Sequence, residues 1–255
     1  QDTDNTPDAV QDITEDNIAV DTANDGTNGG TTVDESLPVH VIDPADGKTI
    51  SATYNTLQEA IDGIAEGSST VAQPVKIVLK QSIKINAAVA VGNKHVIIAA
   101  GEADLTVERA ADYTGDLFTV DEGSLQFAAG VKDDSTVCKL TVDGGQAENV
   151  TGALVHILNP AGTFGLQSDV TLQNNKTNAA GSAILNDNGG TIVLTGGTIT
   201  GNVSTYTDAD KAAGGTIYST GLITIAASKD AAGTAVPATI LIKDKTRTDG
   251  SAGNI

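Results

Sequence analysis

The segments Gly190-Thr191-Ile192-Val193-Leu194 and Gly196-Gly197-Thr198-Ile199-Thr200-Gly201-Asn202 decide the fold. Each is a short run of β-branched residues that starts at glycine, and the second closes on Gly-Asn, the residues of tight turns. A third run, Ala180-Gly181-Ser182-Ala183-Ile184-Leu185-Asn186, precedes them. The triplet recurs. Runs of the Ala180 type also stand at Thr114-Gly115-Asp116-Leu117-Phe118-Thr119-Val120, Thr151-Gly152-Ala153-Leu154-Val155-His156-Ile157 and Gly214-Gly215-Thr216-Ile217-Tyr218-Ser219-Thr220. Runs of the Gly190 type follow at Gly123–Phe127, Gly162–Leu166 and Gly221–Ile225. The closing type appears at Leu140–Gly145, Val170–Asn175 and Thr239–Asp244. Three short strands in fixed order, recurring at about thirty residues, are the signature of a solenoid. The expected fold is all-β: a right-handed parallel β-helix with three short strands per coil. Its uneven steps place the variation in loops such as 206–213 and 228–237.

Outward from the repeats, the period stays that of strands back to Val75. Val75/Ile77/Leu79, Ile83/Ile85, Val89/Val91, Val96–Ile98 and Leu105/Val107 are further strand-like runs. Before Pro74 the period is helical. Leu57, Ala60, Ile61 and Ile64 share a face, Thr56 and Glu59 have capping-box spacing, and Gly67 is the expected stop. This short N-terminal α-helix is expected to cap the open end of the solenoid, which would otherwise aggregate edge to edge. The segment 1–38 is rich in Asp, Glu, Asn, Thr and Gly and reads as flexible and acidic. The expected organisation is therefore 1–38 flexible, 39–74 N-terminal cap and 75–255 β-helix. The chain stops at Ile255 without a wall-sorting signal. That predicts a fragment, or a cap made by the segment after Ala238.

Composition agrees with a narrow core. Aromatics are 3 % of residues, with no Trp and no Met, and glycines number 28, so thin layers of small and β-branched side chains must fill the interior. The net charge of −19 excludes nucleic acid and anionic lipid surfaces as partners. No apolar stretch is long enough to cross a bilayer as a helix, so no membrane insertion is expected. The sequence starts at Gln1 and contains no Met and no signal-peptide pattern, which is expected of a mature or trimmed form. Its one cysteine, Cys138, reads as a small core residue.

Gly214-Gly215-Thr216-Ile217-Tyr218, Gly221-Leu222-Ile223-Thr224-Ile225 and Gly196-Gly197-Thr198-Ile199-Thr200-Gly201-Asn202 resemble the repeats of pectate-lyase-like β-helix domains in bacterial cell-surface adhesins. Leu140-Thr141-Val142-Asp143-Gly144 is similar to that family's first coils, and the helix from Thr56 is similar to its N-terminal cap. The resemblance covers roughly residues 39–255. It implies a secreted or cell-surface location, and it implies architecture more than activity, because adhesins, lyases and hydrolases share the scaffold.

The chemistry of those enzymes is not legible here. Lyase chemistry needs a basic residue beside acidic Ca²⁺ ligands, yet the two arginines, Arg109 and Arg247, lie outside such a motif. Arg109 reads as a surface turn residue. Glycoside hydrolysis needs facing carboxylates. Asp133-Asp134 reads as a solvated turn without the partner motifs of a polygalacturonase-like site. His40, His95 and His156 have no second His or Cys at metal-ligand spacing. His156 alternates with Val155 and Ile157 and points outward. Asn174, Asn175, Asn178, Asn186, Asn188 and Asn202 fall at strand ends, where stacked amides can hold left-handed turns. Asn149, Asn175 and Asn202 head glycosylation sequons of the kind Asn/Thr-rich sequence produces by chance.

No catalytic, cofactor-binding or metal-ligating residue is assigned, and no Ca²⁺ motif supports a cofactor. The expectation is a monomeric, non-catalytic, adhesin-like surface module that binds a polysaccharide or a host surface protein. The alternatives are a polysaccharide lyase or glycoside hydrolase, and a structural stalk.

Overall fold

Val155, His156 and Ile157 lie beside Phe118, Thr119 and Val120, and Val155 and His156 also lie beside Ile184 and Leu185, all in parallel register. The same holds for most other strand pairs. The computed structural model describes residues 33–145, 149–206, 215–229, 235–243 and 246–247. It is mostly strand, in parallel sheets without a closed barrel, so the expected all-β class is what the chain adopts. Successive passes of the chain visit three sheets in the same order. The first sheet takes Val75–Leu79, His95–Ala100, Ser124–Ala128, Thr163–Leu166, Thr191–Leu194 and Leu222–Ile225. The second takes Ile83–Ile85, Leu105–Arg109, Leu140–Asp143, Val170–Gln173, Gly196–Thr200 and Thr239–Ile242. The third takes Val89–Ala90, Phe118–Val120, Val155–Ile157, Ile184–Asn186 and Ile217–Ser219. The strand triplets read from the sequence are therefore present, the first- and second-sheet runs shifted or trimmed by a residue or two and the third-sheet runs shortened from seven residues to three.

Alternation places every second side chain in one apolar interior. Val107, Val142, Leu172 and Ile199 stack in the second sheet, and Phe118, Val155, Ile184 and Ile217 in the third. The three phenylalanines form one column: Phe127 meets Phe118 and Phe164 edge-on, at 4.9 and 5.4 Å between centroids. Such pairs add about 0.5–1.5 kcal/mol each beyond area burial. Between strands the passes approach so closely that some glycines are obligatory. A methyl on Gly152 would overlap the backbone of Gly115 and Asp116.

At the N-terminal end the parallel pattern stops. Val39–Ile42 and Ile50–Tyr54 add to the first sheet as antiparallel strands, a departure from the repeat that leaves no parallel edge there. The helix α1 (Leu57–Asp62) closes that end, with Leu57, Ala60 and Ile61 in the core. Its capping box forms as the sequence predicts: Thr56 Oγ1 accepts from Glu59 N, and Glu59 Oε2 accepts from Thr56 N. The side chain of Gln58 pairs with the outer edge of Val89–Ala90, accepting from Ala90 N at 2.7 Å and donating to Ala90 O at 3.3 Å. The edge strand thus gains a side-chain substitute for a missing neighbour.

The helix is shorter than expected. It stops at Gly63 rather than at Gly67, because Gly63 packs directly on the ring of Tyr54 and Ile64 N turns back to Ile61 O. Ile64 still reaches the core, but from the turn beyond the helix. An antiparallel hairpin, Gly130–Val131 with Val137–Cys138, and an antiparallel strand pair, Ser228–Lys229 with Ala235–Val236, fall in the chain between first- and second-sheet strands. Lys176–Thr177, Val203–Ser204 and Thr246–Arg247 form a small additional parallel sheet that the sequence did not announce. Most of the segment expected to be flexible, 1–38, lies outside the described residues, as do parts of the expected loops 206–213 and 228–237 and of the C-terminal segment after Ala238.

Candidate functional site

Asp116, His156 and Asp187 come from three successive passes and meet on the outer side of the third sheet. Asp116 precedes Phe118–Val120, His156 is central in Val155–Ile157, and Asp187 follows Ile184–Asn186. The outward direction expected for His156 is correct. Its ring is clamped: Nδ1 lies 2.9 Å from Asp116 Oδ2, and Nε2 lies 3.1 Å from Asp187 Oδ1. The side chains are only 17, 21 and 27 % exposed for His156, Asp116 and Asp187, so solvent screens these contacts weakly. Burial opposes a charge on the imidazole. Hydrogen bonding and charge from Asp116, and then from Asp187, outweigh it and raise the His156 pKa above its ordinary value.

Each carboxylate is itself held. Asp116 Oδ1 accepts from Ala153 N at 2.7 Å, and Asp187 Oδ1 accepts from Asn188 Nδ2 at 2.9 Å. Tyr113 donates to Asp116 O at 2.7 Å. Desolvation and the Asp116 carboxylate raise the pKa of the Tyr113 hydroxyl.

Behind Asp116 lies the main departure from expectation. Arg109 is not a surface turn residue: it is 2 % exposed. Its position at the end of Leu105–Arg109 points it inward, in step with the buried Leu105 and Val107. The guanidinium donates from Nη1 to Gly115 O, and from Nη2 to Ala153 O and to Asn175 Oδ1 at 3.2 Å. It also faces the Tyr113 ring at 5.6 Å. Among the described residues its Nε finds no partner. Desolvation lowers its pKa against the opposing charges of Tyr113 and Asp116.

Asn175 joins this cluster to the turns. Its Nδ2 donates to Gly152 O and Ser182 O, and its backbone N–H donates to Asn202 Oδ1 one pass later. Asn202 donates in turn to Leu172 O and Thr200 O. Asn174 occupies the left-handed region (φ 59°), and Gly201 does so one pass later (φ 63°). The expected stacking role of these amides is thus seen for Asn175 and Asn202. Asn186 is buried and bonds both its own turn, at Gly190, and the next pass, donating to Ser219 Oγ at 2.8 Å. Asn178 and Asn188 are exposed and do not extend the ladder.

The remaining candidates fall apart as a site. Asp133-Asp134 occupies the exposed tip of the hairpin, where Asp134 is held below the usual carboxylate range by hydrogen bonds from Thr136. His40 is buried against Leu37 O, and His95 pairs with Ser124 Oγ at 2.9 Å. Cys138 is buried. The side chain of Arg247 lies outside the described residues. Among the described residues no group of three His, Cys, Asp or Glu side chains is arranged to hold a metal ion.

What remains is a surface. Thr106, Thr141, Thr171 and Thr198 form a straight outward row across the second sheet. A cleft of about 440 Å³ opens beside its later members, lined by Lys139, Ser168, Asp169 and Leu241.

Comparison with protein-family models, with curated proteins and with solved structures returns no match.

Proposed function

We propose that residues 75–255 are a right-handed parallel β-helix and that the chain is a non-catalytic, adhesin-like module, exposed outside a bacterial cell, that binds glycan or protein. The repeated order of the three sheets supports the helix, and right-handed crossovers are the rule between parallel strands. One observation carries the non-catalytic reading. The arrangement nearest to a catalytic set, Asp116–His156–Asp187, is occupied by itself. As the imidazolium, the histidine donates from both ring nitrogens to the carboxylates and offers no lone pair to a substrate or a metal. The imidazole also fills the space between the two carboxylates, where a hydrolase would need sugar and water. The hydroxyl row from Thr106 to Thr198 and the adjoining cleft supply a polar face of the kind a docking module presents.

The test pairs a glycan and matrix-protein array with a panel of polysaccharide lyase and hydrolase substrates. Saturable binding without turnover is the expected result. Turnover abolished by Asp116→Asn or Asp187→Asn would overturn the reading, and so would the absence of any binding.

A further inference from the structure

We propose that His156 is an alkali-sensitive latch across three consecutive passes of the chain, closed by its imidazolium and released on the Asp187 side when it loses one proton.

The geometry allows one ionisation state to satisfy both contacts. Carboxylates only accept hydrogen bonds, and they stand at both ring nitrogens, 2.9 and 3.1 Å away. The imidazolium donates to both. A neutral imidazole carries one N–H and one lone pair, so one carboxylate must then face a lone pair at contact distance.

The surroundings decide which one. Asp116 is anchored by Ala153 N, and its segment packs directly beneath Gly152. Asp187 stands at the start of an exposed turn, followed by Asn188 and Gly189. The shorter contact and the fixed partner keep the proton on Nδ1, so the bond that fails is the one from Nε2 to Asp187.

Among the described residues, the charged groups acting on the ring are Asp116, from the preceding pass, and Asp187, from the following one. Arg109 and Tyr113 act on Asp116 from behind. The lateral neighbours Thr119 and Leu185 carry no charge, and neither does the packed strand Thr163–Leu166.

The sign follows from linkage. Folding raises the pKa of His156 above 6.5. Its contribution to stability is therefore complete below 6.5 and is lost as pH rises through the folded-state value. The turn 187–189 between the third and first sheets should loosen across that same step.

The test is an NMR titration of the histidine ring resonances with the full chain, together with hydrogen exchange and thermal unfolding against pH. The expected result is a His156 midpoint above 6.5, faster exchange at 187–189 through that midpoint, and a fall in melting temperature over the same interval that His156→Gln lacks and His95→Gln retains. Asp187→Asn should move the midpoint down. A midpoint at or below 6.5 would overturn the proposal, as would identical pH profiles for the wild type and His156→Gln. If His156→Gln does not fold, the wild-type midpoint and the exchange at 187–189 decide alone.

Discussion

Replacing Asn175 by Ala removes an amide that serves three buried partners at once. Its Nδ2 donates to Gly152 O at 3.0 Å and to Ser182 O at 2.7 Å, and its Oδ1 accepts from Arg109 at 3.2 Å. Ser182 O keeps a long bond from Leu154 N, and Arg109 keeps its bonds to Gly115 O and Ala153 O. Leaving a buried donor or acceptor unpaired costs about 1–3 kcal/mol, more for a charged one. The hole left by the amide is of the size of one water, which would recover some of the loss. The expected destabilisation is therefore about 3–5 kcal/mol. With a urea slope of about 2.5 kcal/mol/M, that lowers the unfolding midpoint by about 1–2 M. The control is Asn178→Ala, because Asn178 is exposed. It should change stability by no more than about 0.5 kcal/mol. Urea unfolding followed by far-UV circular dichroism measures both. Midpoints within about 0.3 M of each other, roughly the error of such extrapolations, would refute the assignment of Asn175 as the joint between passes.

Gly152→Ala should fold poorly, because its methyl would overlap the backbone of Gly115 and Asp116, which cannot move cheaply; soluble yield and melting temperature report it. Phe127→Ala opens a hole in the centre of the phenylalanine column and should cost about 3–5 kcal/mol by denaturant unfolding, whereas Phe127→Leu should cost less. Thr56→Ala breaks the capping box of α1 and should cost about 0.5–2 kcal/mol, with faster hydrogen exchange confined to the helix. Lys84→Ala deletes an exposed pair with Glu108 and should leave the melting temperature unchanged.

The strands were legible because strands that pair in parallel from one pass to the next repeat their pattern along the sequence. Gly115, Gly152, Gly181 and Gly215 begin equivalent segments, and the structure hydrogen-bonds these segments to one another, as in Ser182 N to Gly215 O. The capping box was legible because it is local, contained in Thr56–Glu59. Arg109 misleads for the opposite reason. Alternation with Leu105 and Val107 puts it on the inward face, but its polar partners Ala153 and Asn175, 44 and 66 residues away, cannot be read from its neighbourhood. The prior that arginine is exposed then prevails.

His156 lies between these cases. Alternation gave its outward direction, but its two carboxylates are 40 and 31 residues distant. Stacking the repeats residue by residue would have exposed the cluster, since Asp116 directly follows a repeat glycine and Asp187 directly follows Asn186. The antiparallel strands Val39–Ile42 and Ile50–Tyr54 follow no repeat, and only the need to block a parallel edge accounts for them.

The way these passes are joined has a mechanical consequence. The ladders of all three sheets run from one pass to the next, so their hydrogen bonds point along the stacking direction. Tension applied along that direction loads each ladder in line with its bonds and peels strands away singly from an end, whereas tension across it shears whole ladders together. Contacts that skip a pass resist peeling differently. Arg109 reaches Asn175, and the clamp on His156 ties Asp116 to Asp187, so neighbouring passes there must separate together. A chain drawn from its C-terminal end should unravel smoothly to this region and then hold, giving a force trace with one plateau set by the polar rivets rather than by the apolar interior.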